Sequence, residues 1–426
     1  MPQHGLEHHL SEAKAAQAAG RTADAGRHFL AVLALDPHHL HARNALGLSA
    51  LEAGDASAAA DHFRAAASAN PKVATLWTNL AMAHRMSGDS EEERAALDRA
   101  LAIDRIDVTA LIRLAELHER MGELGSATDR WAMVLTLCEQ IPDPTPELQA
   151  ILGRARTFIE RRHEALEIAV GAGMASLLGG ANERDRRRGL AAADFMLGRR
   201  QAFANQCHGF FYPFLPADEF FDRGQFSWLE RLESATAEIR AELEAILASV
   251  DPGLAPYIEM PAGTPTNLWS KLDKSADWSA FHLWRDGERI DEACARARRT
   301  AELVDSLPLA RIPGRAPAVF FSILRAGKRI PPHTGVTNVR TIIHLPLIVP
   351  EGCGFRVGGE TRQWREGEAF AFDDTIEHEA WNNSDSDRAM LILDCWNPHL
   401  SEDEQAMVLR LFQISENQRP DKPLRG

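Results

Sequence analysis

Hydrophobic residues follow two rhythms along this chain, and the change from one to the other divides it. Through the first 140 residues the pattern recurs every 34 positions: Gly20, Gly54, Gly88 and Gly122 form one column, and Phe29, Phe63, Leu97 and Trp131 another. Ala25, Ala59 and Ala127 keep the same beat, as do Leu46, Leu80 and Leu114, and Pro37 and Pro71. Such a period belongs to stacked helix-turn-helix pairs. Small alanines let paired helices approach, the Phe/Leu/Trp column fills the space between pairs, and glycine interrupts the chain where it turns. From residue 145 to 250 apolar positions still fall three or four apart, as in Leu229, Leu232, Ile239, Leu243 and Ile246, which predicts further helix.

Within that stretch the aromatic residues Phe210, Phe211, Tyr212, Phe214, Phe220 and Phe221 read as core or domain contact rather than as a ligand box. Prolines and glycines thicken between Pro252 and Pro265 and mark a loop. From Ala318 the period becomes two. Runs rich in Val, Ile, Phe and Trp follow one another: Ala318 to Leu324, Val339 to Ile348, Gly354 to Val357, Glu360 to Trp364, Glu368 to Phe372, His378 to Trp381 and Arg388 to Trp396. Gly358-Gly359 joins two of them as a hairpin turn. Many short strands in so little chain predict a double-sheet jelly roll, so the fold class is a multidomain α + β protein, helical first and all-β last.

Composition narrows the function classes. With 426 residues, 45% hydrophobic and 25% charged, the chain suits two or three folded domains. A net charge of -14 repels a phosphate backbone and excludes a nucleic-acid binder, and the basic run Arg186 to Arg188 reads as a solvated helix end. Five cysteines, scattered and odd in number, fit reduced thiols. The polar start Met1 to Leu10 is no signal-peptide core, and the Gly/Ala-rich stretch Ile168 to Gly180 is too short for a membrane span. Cytoplasmic localisation is the expectation.

Three histidines stand where a jelly roll could turn them inward: His333 in Pro-Pro-His-Thr-Gly, His344 in Thr-Ile-Ile-His-Leu and His378 in Ile-Glu-His-Glu. Any one alone would more often be a core or surface histidine; converging imidazoles make a metal site. Arg388, ten residues past His378, opens an apolar strand, Ala389 to Leu393. If it faces inward it needs a buried anion; at the strand edge it would pair with Asp385 or Asp387.

Two families resemble these patterns. Residues 5 to 140 are similar to tetratricopeptide repeats, departing at Arg105 and Glu139, where proline is replaced, and in a weak first helix that is either frayed or a cap. Residues 318 to 400 resemble the aspartyl/asparaginyl β-hydroxylases, through His333-Thr334-Gly335, Thr337-Asn338, Arg340, His344-Leu345, Phe372-Asp373-Asp374, Glu377-His378-Glu379, Arg388 and Trp396-Asn397-Pro398. That resemblance implies an Fe(II)- and 2-oxoglutarate-dependent dioxygenase using O2. It implies that His333 and His378 ligate iron, that Arg388 and Ser322 hold the distal carboxylate of 2-oxoglutarate, and that His344 meets its chelating end. Gly335 stands where related oxygenases carry a carboxylate ligand, so water would complete the sphere, as in the family.

One departure bears on substrate. Family members that act on aspartyl residues carry a second arginine two places before the His344 position; this chain has Ile342, leaving Arg340 and Asp374 as substrate-side polar groups. Three readings stay open: hydroxylation of a peptide or protein side chain of the Asp/Asn β-carbon type, with the repeats docking substrate or partner; hydroxylation of a small molecule or acyl chain; or a silent metal-binding repeat scaffold. The expected division is 1–145 repeats, 146–250 helical connection and 251–426 dioxygenase domain.

Overall fold

The computed structural model describes residues 2–139 and 141–417; Met1, residue 140 and the last residues of the expected 251–426 domain lie outside them. The chain packs as two compact units, Met1–Leu177 and Leu178–Gly426. The helical connection is thus divided: residues 146–177 go with the repeats and 178–250 with the sheets.

In the first unit the 34-residue rhythm becomes four helix pairs, Pro2–Ala18 with Thr22–Leu35, Leu40–Glu52 with Ala56–Ala69, Ala74–Ser87 with Ser90–Ile103, and Val108–Met121 with Leu124–Cys138. The glycine column supplies the left-handed residue between the helices of each pair, with φ of 69°, 80°, 78° and 73°. Asp55, Asp89 and Asp107 start helices by accepting the backbone N–H three residues on. Asp107 explains why the turn survives at Arg105 without proline. Phe29, Phe63, Leu97 and Trp131 are all buried between helices. The first helix is fully formed, burying Ala13 and Ala16 beside Phe29, so the frayed alternative falls. Helix Pro146–Leu178 seats Leu152 and Ala155 against Trp131. Among the described residues no helix is long and apolar enough to cross a membrane.

Among the described residues the second unit has eleven strands: β1 Ala255–Pro256, β2 Trp278–Arg285, β3 Glu288–Arg289, β4 Val319–Leu324, β5 Arg329–His333 and β6 Arg340–Ile348. The rest are β7 Cys353–Val357, β8 Glu360–Arg362, β9 Phe370–Phe372, β10 His378–Asn382 and β11 Arg388–Trp396. A seven-stranded antiparallel sheet runs β1-β2-β4-β11-β6-β9, with β3 on β2; a four-stranded one runs β5-β10-β7-β8. One face of the large sheet, with Phe321, Ile343 and Leu391, takes Leu229, Leu232, Ile239, Leu243 and Ile246 of the helices before it. The other, with Phe320, Met390 and Ile392, faces Ile330, Phe355 and Ala380 of the small sheet. Covered on both sides, the large sheet has continuous hydrophobic strands; all six residues of β4 are buried. Trp278–Arg285, which joins this sheet between β1 and β4, was not among the expected strands.

Candidate active site

β10 pairs antiparallel with β5 so that His378 lies opposite His333. The two ring centroids are 4.0 Å apart. Each ring is fixed through Nδ1 by a carbonyl two residues upstream, Pro331 O at 2.8 Å and Ile376 O at 3.0 Å. A carbonyl only accepts, so Nδ1 carries the proton and the Nε2 lone pair is left for a metal. Burial lowers the pKa of both rings, and that of His378 lies well below the ordinary value. Both are therefore neutral near pH 7, which is the ligating form.

The third position of the triplet is occupied in an unexpected way. Gly335 donates its N–H to the carbonyl of Asp374 at 2.6 Å. A Cβ on Gly335 would fall inside the Asp374 carboxyl group, so any side chain there would have to displace Asp374. Asp374 keeps Oδ1 enclosed without a partner, and burial, aided by adjacent Asp373, pushes its carboxyl up to about 7. Among the described residues no group of three or more His, Cys, Asp or Glu side chains is placed to hold a metal. The two-histidine pair therefore stands without a third protein ligand of those types.

Arg388, 1% exposed, lies 4.7 Å over the Trp364 ring, and its Nε and Nη2 find no hydrogen-bond partner. Asp387 is taken by Arg325, so Arg388 is not an edge residue of its strand. Burial draws it down to about 10, which leaves it cationic at neutral pH. Beside it in register, Ser322 faces Met390 across β4 and β11, and accepts the Trp278 indole N–H at 3.1 Å, leaving its hydroxyl hydrogen to donate. His344 sits among Phe355, Phe370 and Phe372 with Nδ1 unpartnered. Burial, then Arg388, hold its pKa well below the usual range. Ser322, His333, His344, His378 and Arg388 line one cavity of about 360 Å³.

Arg340 also lines that cavity, but it is committed: it pairs at 2.5 Å with Asp394, itself 1% exposed. Asp374 is in the lining with its Oδ1 unpartnered. The aromatic run departs from its expected role in part. Phe220 and Phe221 are core, yet Phe211 and Phe214 are 50% and 102% exposed, and Phe210 lines the cavity. The irregular segment around Phe210 straps the loop after His333: His208 and Gly209 donate to the carbonyls of Gly335 and Val336, and Tyr212 exchanges hydrogen bonds with Asn338. Its contribution, like that of Tyr257, Trp269 and Arg315, lay outside sequence reasoning, because irregular backbone has no period to read; Phe412 enters the lining from the regular helix Glu402–Asn417.

Residues 233–398 match the Aspartyl/Asparaginyl beta-hydroxylase family. The chain carries an aspartyl/asparaginyl β-hydroxylase domain. Ahead of it, residues 10–74 and 44–106 match the tetratricopeptide repeat. Over 181 residues the chain is 39% identical to "Aspartyl/asparaginyl beta-hydroxylase" of Homo sapiens, covering 42% of this chain and 24% of that protein. It is 33% identical over 181 residues to "Ornithine lipid ester-linked acyl 2-hydroxylase" of Rhizobium tropici, covering 42% and 60%. Against "Aspartate beta-hydroxylase domain-containing protein 2" of Xenopus tropicalis the identity is 31% over 210 residues, covering 48% and 54%. The chain thus spans at most 60% of the length of these relatives. Within the β-hydroxylase domain lie His333, His344, His378, Arg388 and Ser322; Phe210 and Phe412 of the cavity fall beyond the matched residues.

Proposed function

We propose that the chain is an Fe(II)/2-oxoglutarate-dependent dioxygenase that hydroxylates a C–H bond of its substrate. The observation that carries this reading is Arg388, a buried cation with two free nitrogens in a cavity that also holds paired, neutral histidines. An unpaired buried charge is costly, and a catalytically silent scaffold would have no reason to retain one. The residues fit the groups the family implies. His333 and His378 would hold iron through Nε2; Arg388 and Ser322 would hold the distal carboxylate of 2-oxoglutarate; His344, neutral, would meet its chelating end. When bound, iron and 2-oxoglutarate would activate O2, with succinate and carbon dioxide as by-products, one oxygen atom of O2 going to succinate and the other to substrate. The protein's own part is to grip the co-substrate with a planar guanidinium and to exclude water with Phe355 and Phe372 of the lining.

The side-chain reading, hydroxylation of a peptide or protein at an Asp/Asn-type β-carbon docked by the repeats, draws on the human relative. An acyl or small-molecule substrate draws on the Rhizobium relative and on Ile342 in the lining. The test is succinate formation from 2-oxoglutarate with Fe(II) and O2, followed by mass spectrometry of peptide and lipid fractions for a product one oxygen heavier. Succinate no higher than in the His333→Ala/His378→Ala double variant would sink the enzyme reading and leave the scaffold.

A further inference from the structure

Three arginines line the cavity, and their partners separate them. Arg388 meets the co-substrate in the reading above, on which this inference rests. Arg340 is neutralised by Asp394. Arg315 has no comparable partner. Its side chain is 18% exposed, and its acid, Glu416, stands at 3.8 Å, 40% exposed and outside hydrogen-bonding range. Its Nε is enclosed without a hydrogen bond. The guanidinium is stacked 4.3 Å over Phe412, which in turn meets Phe210 edge-on at 4.9 Å. A cation so held is oriented before any ligand arrives, so little ordering entropy is lost on pairing. Burial lowers its pKa, with Glu416 opposing and Arg340 adding to the effect.

The geometry points to Arg315 as the substrate anchor: it takes a carboxylate of the substrate, while the arm that reaches His333 and His378 is uncharged. Ile342 supports the second half: of the arginines lining the cavity among the described residues, Arg388 serves the co-substrate and Arg340 is paired with Asp394, so an acidic reacting arm finds no further cation there. Glu416 then acts as an internal stand-in whose carboxylate the substrate displaces. Phe210, Phe412 and Glu416 lie beyond residues 233–398, the stretch matched to the family, and Arg315 lies within it.

The two halves of the pair make the idea testable. The full-length protein is loaded with Mn(II) and 2-oxoglutarate, and binding of the co-substrate is first checked by calorimetry in every variant. Two probe pairs are then titrated: octanoate against octanamide, and acetyl-Leu-Ala-Leu-Glu-amide against its Gln counterpart. The carboxylate member of one pair should bind about tenfold more tightly than its neutral twin, and which pair responds separates a small acyl source from a peptide source. Arg315→Gln should erase that preference, whereas Glu416→Gln should enlarge it. If the pair were only structural, the two variants would shift together. Shifts in the same direction, a preference that survives Arg315→Gln, or no discrimination in either pair would overturn the inference. Failure of 2-oxoglutarate to bind the unaltered protein would instead overturn the dioxygenase reading.

Discussion

Replacing Arg388 by methionine should weaken co-substrate binding while strengthening the empty protein. The guanidinium is 1% exposed and two of its nitrogens are unpartnered, so with the pocket empty it is a buried charge lacking compensation. Exchanging buried ionic groups for apolar ones of similar size is typically neutral or stabilising by about 1–4 kcal/mol. Loss of the contact over Trp364 offsets about 0.5–2 kcal/mol of that. The net expectation is a gain of about 1–2 kcal/mol, a rise in Tm of a few degrees for a unit of this size, on the order of 2–4 °C per kcal/mol. With 2-oxoglutarate at about a hundred times its Kd, the parent gains about 2.7 kcal/mol by mass action. The variant gains at most about 0.3 kcal/mol, because losing one partner of a buried pair costs about 3–5 kcal/mol, more than a hundredfold in affinity. Scanning calorimetry with Mn(II), with and without 2-oxoglutarate, reads both quantities. A variant that melts lower when empty yet keeps the full 2-oxoglutarate shift would refute the argument.

The double variant His333→Ala/His378→Ala should lose stoichiometric Fe(II) while keeping its circular dichroism; iron retained after chelator treatment would count against the pair. Gly47→Ala should destabilise the repeat unit by about 1–2 kcal/mol in urea unfolding, since a Cβ there comes within 2.6 Å of the buried Phe63 ring, and overpacking of about 1–3 kcal/mol exceeds the helix-propensity gain of up to about 1 kcal/mol. An unchanged midpoint would mean the two helices can part at no cost. His282 is held at about 4 by burial, then by Arg285, with Nδ1 unpartnered. The unfolded chain takes up that proton near 6.5, so stability is lost as pH falls from 6.5 towards 4, by at most about 3 kcal/mol. His282→Phe should flatten the difference in unfolding free energy across that window; parallel pH profiles would show that another group is responsible.

What the amino-acid sequence determined alone is what depends on local spacing. The 34-residue glycine column was readable because each glycine answers a turn a few residues long, and the four φ values between 69° and 80° are a local property. The helix faces ending in Ile246 were readable for the same reason, since a 3.6-residue period is written within one turn. The functional residues were recognised as a pattern of types, and the sequence already contained Ile342 as a departure. Their relations were not there to be read. Whether Arg388 was an edge residue or a buried cation depended on Asp387 being engaged by Arg325, 62 residues away. That Arg340 is spent on Asp394, and that Asp374 fills the space beside Gly335, follow from strand register and loop approach across 54 and 39 positions. Pairing, burial and the absence of a partner are settled only when distant segments meet, because a charge's free energy is set by its surroundings rather than by its neighbours in the chain.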